Sequence, residues 1–179
     1  MHGIIFSELK KYVDSKLGGN AWNSLLTESG IGFKTYLGNK KYPDEEAVAL
    51  VSTASRITGK PADALLEDFG EFIVPDLMTV YGALIKPNWK TLDLIENTES
   101  VIHTTIRFQS PEAEPPQLTC ARVNPREVMI HYSSGRKMCS VAKGIAKGVA
   151  NHYKEKVLVS EGLCMNKGAA SCKISVKLV

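Results

Sequence analysis

The stretch 103-HTTIRFQSPEAEPPQLTCARVNPREVMIHYSSGR-136 decides how this chain is read. It changes character twice. Up to Phe108 it continues a helical pattern. Pro111, Pro115 and Pro116 then break it, because proline lacks an amide donor and restricts the residue before it. From Gln117 onward QLTCARV and EVMIHYSSGR alternate apolar and polar residues, which predicts two antiparallel strands joined through Asn124-Pro125-Arg126. Tyr132, Ser134 and Arg136 fall at every second position. On one continuous strand they would share a face and span roughly 13 Å, at about 3.3 Å per residue. Two hydroxyls and a guanidinium in a row suit the carboxylates of a rigid ligand. A plain solvated strand face is the alternative.

Upstream, residues 90–108 read as one long helix with Leu92, Ile95, Ile102 and Ile106 on its apolar side. His103 lies at nearly the angle of Leu92, so it should face the interior or its edge. Two readings stay open: a histidine satisfied by a carbonyl, or an axial ligand, since a neutral imidazole is a common ligand for haem iron.

The first half is helical throughout. Ile4, Ile5, Leu9, Tyr12, Val13 and Leu17 form one stripe, stopped by Gly18-Gly19. Pro43 and Asp44–Glu46 open another helix, and Pro61 a third. A helix around Pro75 follows, and GIGFKTYLGNKKYP between them reads as a loop. The inward candidates Ile5, Leu9, Phe69, Ile73, Val74, Leu77 and Met78 would make any pocket here almost wholly apolar. After Arg136 a helix over 137–152 carries Met138, Val141, Ala142, Ile145 and Val149. Gly144 and Gly148 leave room for close approach of a flat ligand or the sheet. KVLVSEGLC and SCKISVKLV complete a sheet of about four strands. The fold class is therefore α+β. An N-terminal helical subdomain precedes a C-terminal antiparallel sheet with packed helices, and residues 1–179 form a single domain, divided at 1–65 and 66–179.

Cys164 ends one of these strands and Cys172 begins the next, and Cys139 early in the preceding helix is within reach. Three thiolates suggest a zinc corner, for which Glu161 is a fourth ligand. Three reduced, partly buried cysteines are the alternative, and a thiol or zinc redox switch is the function this corner would support by itself. Cys120 has no assigned role.

Composition limits the rest. The 179 residues carry a net charge of +3, with 44% hydrophobic and 23% charged residues. The lysines are scattered, which argues against nucleic acid. No apolar run is long enough for a membrane span, and MHGIIFSELKKYV lacks the features of a secretory signal, so the expected location is the cytoplasm.

At this point the chain resembles the H-NOX family, the haem nitric oxide/oxygen-binding domains similar to the haem domain of soluble guanylate cyclase, in its bacterial stand-alone form. His103 in IHTTIR, Pro116, and Tyr132, Ser134 and Arg136 in YSSGRKM carry the resemblance, with Met1-His2-Gly3-Ile4-Ile5 and GKPADALLEDFGEF (59–72). The resemblance implies haem b, with His103 as proximal iron ligand, Pro116 distorting the macrocycle, and Tyr132, Ser134 and Arg136 on the propionates. It implies a distal pocket of Ile5, Leu9, Ile73, Val74, Leu77, Val141 and Ile145. Oxygen-binding members carry a distal tyrosine where this chain has Val141. The expectation is a non-catalytic sensor that binds nitric oxide, and carbon monoxide as well, while stable dioxygen binding is disfavoured. Some bacterial members carry a Cys/His zinc site in the region of Cys139, Cys164 and Cys172. The chain shows no kinase or cyclase segment, so its output should go to a separate histidine kinase or cyclic-dinucleotide enzyme. A peroxidase-like haem enzyme is disfavoured, because no distal His/Arg pair is found.

Overall fold

A computed structural model describes residues 1–179. Five helices come first: α1 (Gly3–Leu17), α2 (Ala21–Glu28), α3 (Asp44–Thr58), α4 (Ala62–Phe72) and α5 (Val74–Tyr81). Next comes a helix in three parts without a break: α6 (Thr91–Asn97), a π-helical stretch (Thr98–His103) and α7 (Thr104–Gln109). Strands β1 (Gln117–Asn124) and β2 (Glu127–Ser133) precede α8 (Cys139–His152), and β3 (Val157–Leu163) and β4 (Cys172–Leu178) close the chain. The sheet is antiparallel with order β1-β2-β4-β3, so the fold is α+β as expected. No helix is long and apolar enough to cross a membrane.

The helical half is held by an apolar and aromatic core. Phe6, fully buried, stacks on Tyr36 with ring centroids 4.2 Å apart, and Trp22 and Tyr42 meet Tyr36 edge-on. Such pairs add about 0.5–1.5 kcal/mol beyond area burial. The segment read as a plain loop thus donates a ring to the core. Phe6 takes the centre of the α1 stripe, while Leu17 at its end is exposed. The start of α3 follows the expected chemistry, with Asp44, Glu45 and Glu46 in its first turn and Gly59 closing it at φ 68°.

The second core lies on one face of the sheet. Val128 pairs with Val176, Ile130 with Ile174 and Tyr132 with Cys172, and all six are buried. Leu92 and Ile95 of α6 and Ala146 of α8 cover that face.

Two expectations change here. The strand stops at Ser133, and Ser134–Arg136 turns into α8, so Tyr132, Ser134 and Arg136 do not share one strand face. The glycines of α8 approach α4 and not the sheet. A Cβ on Gly144 would sit 1.9 Å from the Glu67 carbonyl oxygen, and one on Gly148 would sit 2.8 Å from the Glu71 carbonyl oxygen, both on α4, and 2.5 Å from a Val74 methyl at the start of α5. A Cβ on Gly70 of α4 would likewise sit 2.3 Å from the Val141 carbonyl oxygen. Glycines on both helices let the backbones touch, and this brings Phe69 and Val141 to the same wall.

Candidate functional site

Between the N-terminal helices, the α6–α7 helix and α8 lies a cavity of about 320 Å³, within the range of small-molecule sites. Ile5, Leu9, Ile73, Val74, Leu77, Val141 and Ile145 all line it, as do His103, Pro116, Tyr132, Ser134 and Arg136. The turn after β2 brings together what a straight strand would not have. Ser134 and Arg136 reach the cavity because the backbone bends there, with Lys137 at φ 53° completing the turn. Met1, His2 and Tyr81 were not read as lining residues but also face this cavity.

His103 ends the π-helical stretch, and its side chain is 12% exposed. Each π turn holds more residues than an α turn, so the angle computed from Leu92 does not apply. The ring reaches the cavity through the altered winding. Its Nδ1 lies 2.9 Å from Glu99 Oε2. Glu99 Oε2 also accepts the Leu118 backbone N–H at 3.0 Å, and Glu99 Oε1 accepts from Arg107 Nη1 at 2.7 Å. Burial lowers the His103 pKa against the raising effect of Glu99, so the ring is neutral near pH 7. Burial would raise the Glu99 pKa, but Arg107, His103 and the Leu118 amide outweigh it and hold the carboxyl below its usual range. An ionised Glu99 takes the Nδ1 proton in a hydrogen bond and leaves Nε2 with the lone pair a metal needs. Glu99 was missed in the sequence, although its four-residue spacing from His103 was the available signal.

At the other end, Arg136 donates through Nε to Asp44 Oδ1 at 2.9 Å and through Nη1 to the Glu114 carbonyl at 2.5 Å. Asp44 also takes the Met1 ammonium at 2.5 Å. Burial opposes ionisation of Asp44, but the Met1 ammonium and Arg136 prevail and lower its pKa. Tyr132 is buried, and burial pushes its phenol up. The Arg136 backbone N–H donates to Ser134 Oγ at 3.3 Å. His2 Nε2, on the same cavity wall, is buried without a partner. An orphaned polar atom of this kind costs about 1–3 kcal/mol unless something meets it. A neutral carboxylate-held imidazole, a long apolar wall, and a polar end with a guanidinium and hydroxyls fit a flat apolar ring system bearing carboxylates.

The cysteine corner forms separately. One ligand atom each from Cys139, Glu161, Cys164 and Cys172 lie within 4.8 Å of one another. Cys139 Sγ and Cys164 Sγ are 3.7 Å apart, close to the roughly 3.8 Å edge of a tetrahedron with Zn–S bonds of about 2.3 Å. All three cysteines are buried and none forms a disulfide. Glu161 Oε1 is buried without a partner, and Lys143 Nζ is 3.6 Å from Oε2. Burial pushes the Cys139 thiol far up, with Cys172 and Glu161 adding to it. Cys120 stands apart on β1, pushed up to about 11 by burial and by Glu99 and Glu96.

Known proteins agree with this architecture. A family model described as Haem-NO-binding matches residues 2–161, and the chain belongs to that family, the H-NOX domains. These are gas-sensing haem domains without catalysis of their own. A crystal structure of an H-NOX protein from S. oneidensis in the Fe(II)NO ligation state superposes with a TM-score of 0.93 at 26% identity, covering 100% of this chain and 99% of that one. An NMR structure of an H-NOX domain from Shewanella oneidensis in the Fe(II)CO state gives a TM-score of 0.88 at 26% identity, with all of this chain covered. The soluble guanylate cyclase gcy-31 of Caenorhabditis elegans is 24% identical over 138 residues, 76% of this chain. The chain spans about a fifth of that relative's length.

Proposed function

We propose that this domain senses nitric oxide through haem b, with His103 as the proximal ligand. The observation that carries the reading is the Glu99-bound imidazole of His103 on a mostly apolar cavity that Tyr132, Ser134 and Arg136 also line. Haem held there would supply ferrous iron, which binds small gases such as nitric oxide and carbon monoxide. His103 would hold the iron through Nε2. Pro116 would press on the ring edge from the linker before β1. Tyr132, Ser134 and Arg136 would bind the propionates, which then compete with Asp44 and Glu114 for the guanidinium.

Ile5, Leu9, Ile73, Val74, Leu77, Val141 and Ile145 would form the distal wall. They present no hydrogen-bond donor, and a buried donor is worth on the order of 1 kcal/mol to a polar ligand. Tyr81 and His2, with Thr98, Gln109 and Ser110, are polar residues elsewhere on the lining. The division into a distal unit, 1–65, and a proximal unit, 66–179, belongs to the same reading. In it, release of tension at His103 moves the helical part against the sheet, and a separate partner, a histidine kinase or cyclic-dinucleotide enzyme in the cytoplasm, reads the shift.

The test is the absorption spectrum of reduced protein under nitrogen, then air, then nitric oxide. The expected result is a haem band indifferent to air and shifted by nitric oxide. A stable spectral change in air would overturn the exclusion of dioxygen, and Tyr81→Phe would show whether that phenol supplied the donor. Protein that takes up no haem would overturn the reading itself.

A second reading applies to the other end of the sheet. Cys139, Cys164 and Cys172 with Glu161 bind zinc, carried by the shared 4.8 Å cluster and the orphaned Glu161 oxygen. The thiol or zinc redox switch rests on the same corner. Elemental analysis that finds no zinc would remove the zinc site, and a thiol count and zinc content unchanged after peroxide would remove the switch.

A further inference from the structure

We propose that Glu99 is the positioning residue for His103, fixing the imidazole and tying it to strand β1. The inference rests on the reading of His103 as an iron ligand. Glu99 receives hydrogen bonds from three parts of the chain: His103 Nδ1, Arg107 Nη1 and the Leu118 backbone N–H. The first two come from the same continuous helix. The third comes from the second residue of β1, two positions after Pro116. Arg107 Nη2 also reaches the Pro116 carbonyl at 3.4 Å. Leu118 in turn pairs across the sheet with Tyr132. One carboxylate therefore joins the histidine to the strand that leads from the proline, and that strand is paired with the tyrosine.

The chemistry follows from the charge. A carboxylate on Nδ1–H increases electron donation from the opposite ring nitrogen, strengthens its bond to a metal and fixes the plane of the ring. The same hydrogen bond would restrain rotation of the imidazole about its side-chain bonds if its bond to a metal were weakened. The π winding serves this arrangement, because Glu99 and His103 lie within the same π-helical stretch and the Thr104 hydroxyl donates to the Glu99 carbonyl at 3.0 Å. Any displacement of His103 is thus transmitted to the Leu118 amide through one side chain.

Glutamine at this position is nearly isosteric but uncharged, and its NH₂ group would face a donor. Glu99→Gln should lower the iron–histidine stretching frequency of the reduced haem protein in resonance Raman spectra. It should also weaken the hold of the imidazole on iron by about tenfold, the low end for loss of an outer partner. The haem-free native protein gives a second readout. Its His103 Nδ1 proton should be slow to exchange in ¹⁵N-edited NMR, and the Leu118 amide protected. Both should be lost in Glu99→Gln if that variant folds. A native Nδ1 proton in fast exchange overturns the inference whether or not the variant folds, and so does an unmoved stretching band. His103→Gly separates the two readings. If the native protein shows no iron–histidine band and His103→Gly has the same spectrum, the assignment of His103 fails. If that band is present in the native protein and absent in His103→Gly but unmoved in Glu99→Gln, only the role of Glu99 fails.

Discussion

The cavity and the cysteine corner both bury reactive side chains, and they do so in opposite ways. Around the cavity the ionised groups are partnered: Glu99 takes Arg107 and the His103 ring N–H, and Arg136 takes Asp44 and Glu114. Most of the remaining wall is apolar, so the site is set mainly by shape. In the corner three thiols and a carboxylate crowd within 4.8 Å of one another, and the nearest cation is Lys143. Four acidic groups at that distance cannot all ionise without a cation among them. The cavity should tolerate an empty state that the corner resists, and each prediction below tests that difference.

The largest effect belongs to the corner. Protein kept with zinc at about a thousandfold over its dissociation constant should be more stable than stripped protein by about 4 kcal/mol. Cys139→Ser with Cys172→Ser should abolish that increment while leaving the haem spectrum intact, as read by chemical denaturation and elemental analysis. If stripping leaves stability unchanged, the corner is a set of buried thiols and the comparison breaks.

Next comes the geometry of the cavity. Gly144→Ala places a methyl 1.9 Å from the Glu67 carbonyl oxygen, where the neighbour is backbone and cannot yield cheaply. The cost should reach or exceed the roughly 1–3 kcal/mol of ordinary overpacking, with loss of haem as α4 and α8 part. Gly162, on β3 beside the corner, has nothing within 4 Å of a Cβ, and Gly162→Ala should change stability by no more than about 0.5 kcal/mol. Equal effects in the two variants would show that the cavity is not held by helix contact.

These two sites were legible in the sequence to different depths. His103, Pro116, the Tyr132–Arg136 motif and Cys139, Glu161, Cys164 and Cys172 could be picked out because their side-chain chemistry is unusual at that spacing, and the structure brings each group together. The geometry joining them was not legible. The π winding before His103 depends on tertiary contact, which local periodicity does not contain. Arg136 meets Asp44 across 92 positions, so no pattern in either segment announces the pair. Gly144 and Gly148 signalled a close approach, but α4 as the object follows only from the way the helices cross. Tyr36 does lie in irregular structure, as the turn residues around it indicate; that it packs into the core while Phe33 is exposed follows only from tertiary contact.

A smaller effect concerns the guanidinium at the polar end. Arg136→Met removes charged hydrogen bonds of the kind worth about 1.5–3 kcal/mol. Haem loss to an acceptor protein should then be roughly tenfold to a hundredfold faster. A change of that size in haem release, with zinc content unaltered, sharpens the separation of the two sites. Loss of zinc in the same variant would mean that they are coupled through α8.

The smallest expected effect is the acid response of the clamp behind Arg136. The Asp44 pKa is lowered in the folded chain, so its contribution is full above the ordinary carboxylate value of 3.8 and is lost as pH falls below that toward the folded value. Its side chain is 39% exposed, and solvent screening keeps the contribution below about 1 kcal/mol. Asp44→Asn should therefore narrow the stability difference between pH 5 and pH 3 by less than that amount, measured by urea unfolding of the haem-free protein. With Asp44 removed, Glu114 is the remaining acid on Arg136, and it is exposed at 63%. A variant whose acid response equals that of the native chain would mean that the guanidinium is held by the Glu114 carbonyl and by shape. The polar end of the cavity would then obey the same rule as its apolar wall.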